Sequence, residues 1–211
     1  MTKRLAKLAF KLLSVHFLMT LLTFFILPGL FGISSNTVYL WCATAFFAAG
    51  LWLLAWYEAA SAGQKDVQKD KIIARRVEQE EGFVPQGEEG RLYQSWMGFA
   101  AGFLAEAPAL LVTVVALVSS EQLKDILTFA LAIWNVSYQQ ILNTLSSFQP
   151  ALFLAFPLVY ALVAGFGYRS GPARQRRTET IIERGKSRKA RLVREEQAKA
   201  KRQRPPRRVV R

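Results

Sequence analysis

The chain of 211 residues holds one cysteine and one histidine. A single cysteine excludes an intramolecular disulfide, and the lack of clustered Cys, His, Asp and Glu excludes the usual metal centres. His16 and Cys42 fall toward opposite ends of two apolar runs. They therefore do not read as a nucleophile and its base, and each reads as ordinary helix packing. Neither a glycine-rich phosphate loop nor a nucleophile elbow occurs. Lysine and arginine are missing from four apolar runs, and aromatic residues are missing after Tyr168. These absences point away from an enzyme and from any metal or cofactor.

What is present is 52% hydrophobic residues beside a formal charge of +13, kept apart along the chain. Residues 12–33, 38–57, 96–118 and 151–168 carry almost no ionised side chains. Each run is close to the ~20 residues that a helix needs to cross a hydrocarbon core about 30 Å thick. The expected fold class is all-α: a four-helix integral membrane bundle with an outer interfacial helix and a basic cytoplasmic C-terminal helix or tail. The run that follows Lys3, Arg4, Lys7 and Lys11 is longer than a signal core and lacks a small-x-small cleavage site, so it reads as an uncleaved first span. Every Lys and Arg except Lys124 lies before the first run, between the second and third, or after the fourth. By the positive-inside rule both termini are expected in the cytoplasm, with an even number of spans. A bacterial plasma membrane is the default location.

Four regions follow. Residues 1–57 form an N-terminal transmembrane hairpin, and 58–95 a charged cytoplasmic loop that extends span two before a glycine-rich return. Residues 96–168 form a second transmembrane pair that contains an interfacial helix over 123–148, and 169–211 a basic tail. The interfacial segment is too broken to count as a fifth span, which would export the tail. Leu131, Trp134, Tyr138, Ile141 and Leu145 make one stripe, and Asn135, Gln139 and Asn143 another, facing water or a partner. The triplet Asn135, Val136, Ser137 spells a glycosylation acceptor, too short a match to carry weight.

One carboxylate interrupts "GFAAGFLAEAPALL", residues 98–111. On a straight helix Gly98, Gly102 and Glu106 share a face, placing the acid in line with a small-residue seam that another helix can approach closely. An ionisable group at mid-membrane costs about 2.5–3.5 kcal/mol, so Glu106 is expected to look into the bundle or across a subunit contact. Counting rise from the inner interface puts Thr20, Thr23 and Tyr160 at its depth and His16 about two turns shallower, so that His16 pairs directly with Glu106 only if the helices are offset. Pro108 removes a backbone donor nearby. A packing role and a role in ion or proton handling both fit these positions.

The tail carries the chain's entire net charge. Its candidate anion-binding residues are Arg174, Arg176, Arg177, Arg184, Lys186, Arg188, Lys189, Arg191, Arg194, Lys199, Lys201, Arg202, Arg204, Arg207 and Arg208. Thr180 and Glu183 match a capping box, and Pro205 and Pro206 mark a stop. Three partners compete: anionic lipid headgroups, the phosphates of RNA or the ribosome, and an acidic protein. Without an aromatic platform, reading of RNA sequence is disfavoured. The architecture resembles membrane insertases that dock ribosomes, but the spans lack the buried positive charge such proteins use. The expected function is a non-enzymatic multi-pass scaffold or accessory subunit, with an oligomeric channel or transporter subunit that uses Glu106 as the alternative. Homo-oligomers or larger membrane complexes are the expected assemblies.

Overall fold

A computed structural model describes residues 2–33, 37–79, 92–144 and 153–203, and among them every regular element is helical. They divide into two compact units, Met1–Pro172 and Ala173–Arg211. In the first unit α1 (Thr2–Ile33) and α2 (Thr37–Gln79) pack side by side. With 43 residues, α2 is about 64 Å long, twice a hydrocarbon core, because its apolar half runs into a half rich in Ala, Lys, Gln and Arg, which also favour helix. Phe10, Phe25, Phe46, Leu53, Val118 and Phe129 stand exposed on the outside of the helices. An exterior of this kind suggests a chain embedded in hydrocarbon.

The third apolar run is not one straight helix. It splits into α3 (Met97–Ala105) and α4 (Ala107–Val118), bent by 55° at Glu106. Pro108, in the first turn of α4, has no amide hydrogen to continue the ladder, so the chain breaks where the acid stands. α5 (Glu121–Trp134) then runs back along α4, setting Ala130, Leu131 and Trp134 beside Pro108, Ala109 and Val112.

The expected helix over 123–148 is also interrupted. α5 stops at Trp134, a 3-10 turn covers Val136–Tyr138, and α6 (Gln139–Thr144) follows, while 145–148 lie outside the described residues. Asn135, expected to face water or a partner, is buried along with Val136, Ser137 and Tyr138. The amide of Asn135 turns back on its own helix, Nδ2 donating to the Leu131 carbonyl at 3.0 Å. This local bond competes with helix continuation. The buried triplet has no room for a glycan.

α7 (Ala155–Arg169) packs between α2 and α3. Its 15 residues span only about 22 Å, short of a full crossing. Among the described residues two helices are long and apolar enough to cross a membrane, or three when the bent α3–α4 pair counts as one, rather than four straight spans. Close approach needs glycine here. A Cβ on Gly102 would lie 2.6 Å from the Ala161 Cα, and one on Gly98 would lie 2.7 Å from the Ala164 carbonyl oxygen. The small-residue seam is therefore filled by α7 of the same chain.

α8 (Gly171–Gln203) begins nine residues before Thr180, so the expected capping box lies inside the helix. There Thr180 Oγ1 donates to the Arg176 carbonyl at 3.0 Å. The helix also runs through Gly185 without a break. Every residue over 180–196 is exposed.

Candidate functional site: a buried junction of helix breaks

The end of one helix supplies the acceptor at this site. α5 terminates at Trp134, and the Tyr138 amide bonds the Asn135 carbonyl instead, which leaves the Trp134 carbonyl without its helical donor. Two side chains from α1 take it up. Thr20 Oγ1 donates at 3.0 Å, and His16 Nε2 approaches at 3.1 Å. Because a carbonyl only accepts, Nε2 must carry a hydrogen.

That assignment determines the chemistry on the other side of the ring. His16 Nδ1 makes a short contact to Glu106 Oε1, and one proton must lie between them, on the carboxyl or on the imidazole. The second carboxylate oxygen, Oε2, accepts from Trp134 Nε1 at 3.1 Å. His16 is 2% exposed and Glu106 is 1% exposed, so water does not satisfy either. The His16 ring stacks on Trp134 with centroids 4.8 Å apart and lies 5.3 Å from Tyr160. Glu106 also stands at the N-terminal end of α4, where a helix favours negative charge.

A polar layer continues from this junction. Thr23 Oγ1 donates to the Met19 carbonyl at 2.7 Å and lies 3.1 Å from Ser137 Oγ. Tyr160 donates its hydroxyl to the Leu12 carbonyl at 2.7 Å. Trp52 Nε1 donates to the Tyr138 hydroxyl at 2.8 Å, and Tyr138 stacks on Phe156 at 4.4 Å. Asn135 Oδ1 is buried and accepts no hydrogen bond among the described residues.

Of the residues expected from sequence, Glu106, Thr20, Thr23 and Tyr160 are gathered here, whereas Gly98 and Gly102 face α7. The depth assigned to His16 is corrected. Counting rise from Leu12 treated the last lysine as the edge of the packed bundle. Instead Leu8, Ala9 and Leu12 are already buried, and Lys11 reaches past them to Glu58 at 3.0 Å. α1 is sunk deeper than its charges suggest, which brings His16 level with Glu106. Sequence reading also missed Trp134 and Ser137. A usable signal existed on α1, where His16, Thr20 and Thr23 recur at four and three residues, putting three polar groups on one face.

At the charged end of the unit a second cluster holds the return into α3. Asp70 Oδ1 accepts the Leu92 amide at 2.7 Å, and Oδ2 accepts the Tyr93 amide at 3.0 Å. Tyr93 stacks on Tyr168 at 5.3 Å, and Tyr168 donates to Asp66 Oδ2 at 2.7 Å. Burial pushes the Tyr93 phenol up, and the Arg169 guanidinium draws it partly back.

In the second unit Arg184, Lys186, Arg188, Lys189, Arg191 and Arg194 lie on exposed α8, with Arg174, Arg176 and Arg177 nearer its start. Lys199, Lys201 and Arg202 belong to the helix by backbone, and Arg204, Arg207 and Arg208 lie outside the described residues. Ile181 stands above Leu192 and Ile182 above Val193, eleven residues or about three turns apart, all exposed. Among the described residues no group of three metal-binding side chains occurs. The chain matches no protein-family model, no curated protein and no solved structure.

Proposed function

We propose that the protein is a non-enzymatic membrane scaffold or accessory subunit, built on four crossings and bound to anionic lipid headgroups through α8. α1 and α2 are two crossings, and α3 with α4 is the third. α5 and α7 share the fourth, α5 descending beside α4 and α7 continuing beside α3 from the Tyr138–Phe156 stack. This arrangement keeps both termini and all Lys and Arg but Lys124 on the cytoplasmic side, as the positive-inside rule requires.

The closed state of Glu106 carries the reading. Both carboxylate oxygens are taken by side chains of the same chain, in a site that is 1% exposed, so the group holds three elements together. For α8, the support is two pairs of exposed apolar side chains, Ile181 with Ile182 and Leu192 with Val193, about three turns apart on a basic helix, a pattern that suits shallow contact with a headgroup layer. A photo-reactive residue in place of Arg188, irradiated in intact cells, is expected to yield lipid adducts; ribosomal RNA or a single protein as the dominant adduct overturns the lipid assignment.

One observation favours a second reading, a channel or transporter subunit. Two interrupted helices meet at a buried ionisable pair, an arrangement that transport sites use. In reconstituted vesicles, loss of ion or proton flux in Glu106→Gln with assembly intact selects that reading over the scaffold.

A further inference from the structure

Outside the junction, α1 and α2 enclose a cavity of about 530 Å³ just beyond the apolar half of α2. Arg4, Lys7, Leu8 and Lys11 line it from one face of α1, and Glu58, Ser61, Ala62, Lys65, Lys69 and Ile72 from the facing stripe of α2. These positions recur at three and four residues, so each helix turns one continuous row of side chains into the same space. The volume lies within the range of small-ligand pockets.

Charge around the cavity is unbalanced. Its two acids are already engaged, Glu58 with Lys11 at 3.0 Å and Asp66 with the Tyr168 hydroxyl at 2.7 Å. Arg4, Lys7, Lys65 and Lys69 make no ion pair among the described residues, and because Asp66 keeps its charge while accepting from the neutral Tyr168 hydroxyl, the lining carries a net formal charge of +3. An excess of cations around one space raises the local potential and attracts a multiply charged anion. The uncharged wall is mostly apolar, with Leu8, Ala62, Ile72 and Met97 beside Ser61 and Gln68; Leu8 and Met97 are buried and Ile72 stands 44% exposed. A soluble phosphate has no use for such a wall, whereas the glycerol and first acyl carbons of a lipid do.

We propose that this cavity binds the headgroup of a phospholipid bearing two negative charges, a phosphomonoester or a pair of phosphodiesters, with Arg4, Lys7, Lys65 and Lys69 as its ligands. Arginine offers a planar fork to phosphate oxygens, and the lysines act as point charges. This goes beyond the surface contact of α8: it is a site for one lipid. It rests on the membrane-embedded reading but not on the α8 assignment.

The test uses the full chain in nanodiscs of phosphatidylcholine doped with phosphatidic acid or cardiolipin, with retained lipid measured by native mass spectrometry. Wild type is expected to retain one doped lipid, and Lys7→Gln with Lys69→Gln to bind it at least about tenfold more weakly. Lys7→Arg with Lys69→Arg is expected to keep binding, and an α8 variant with Arg188→Gln and Arg191→Gln to keep it as well. Co-flotation of every variant with neutral vesicles reports that the fold and its insertion are intact. Retention unchanged in the double Gln variant but lost in the α8 variant overturns the cavity and leaves the α8 reading standing. Equal competition by inorganic phosphate or glycerol phosphate overturns the lipid assignment, and failure of the wild type to float overturns the membrane reading beneath it.

Discussion

Replacing Glu106 by Gln and by Ala separates its two roles, because the amide reproduces the hydrogen bonds of the carboxyl and the methyl group does not. In Glu106→Gln the side-chain nitrogen donates to His16 Nδ1 and the oxygen accepts from Trp134 Nε1, so the junction keeps both contacts. The expected loss is under ~1 kcal/mol. In Glu106→Ala the Trp134 N–H and the His16 Nδ1 are stranded in a dry site, each at about 1–3 kcal/mol by soluble-protein measure. Helices that separate within lipid find other partners, and interhelical bonds there average nearer 0.6 kcal/mol. Between these limits Glu106→Ala is expected to lose about 2–4 kcal/mol. Removing His16 in the Ala background adds little, since the two groups act as a pair. Equilibrium unfolding in bicelles, followed by steric trapping, measures the wild type and all three variants. Gln as damaging as Ala refutes the hydrogen-bond argument, and Gln as stable as wild type but inactive in flux transfers the function to the proton.

Gly102→Ala pushes a methyl group to 2.6 Å from the Ala161 Cα, a backbone atom that does not yield. It is expected to cost about 1–3 kcal/mol in the same unfolding assay, and a wild-type value contradicts the close packing of α3 on α7. Asp70→Ala removes the acceptor of the Leu92 and Tyr93 amides, so their hydrogen exchange is expected to accelerate about tenfold or more. Unchanged protection at both amides contradicts the clasp. Protease added outside intact cells is expected to leave residues 169–211 whole; their digestion refutes the even number of crossings.

Much of the fold was legible because hydrocarbon imposes a simple rule on composition. The ends of α1 and α2, the charged extension of α2 and the basic α8 are each visible as a change in side-chain type. The breaks were not legible as geometry. Pro108 announced an interruption near Glu106, but not the 55° turn that sends Gly98 and Gly102 to α7 and the acid to α1. Asn135 read as a solvent-facing group because polarity alone does not distinguish water from a buried partner. Thr20 and Thr23 were set level with Glu106 by counting rise and lie about one and two turns beyond it, joining the site through the Trp134 carbonyl and Ser137. His16 was misplaced because long lysine side chains let a helix sink past its own charges.

The hairpin of α4 and α5 has its main partners in itself, and it joins the remaining bundle at its lower end, where Glu106 and Trp134 meet α1. A change of tilt at that attachment would be magnified along the length of the hairpin. Across the twelve residues of α4, about 18 Å, a tilt of about 10° carries the tip at Ser119 and Ser120 by about 3 Å.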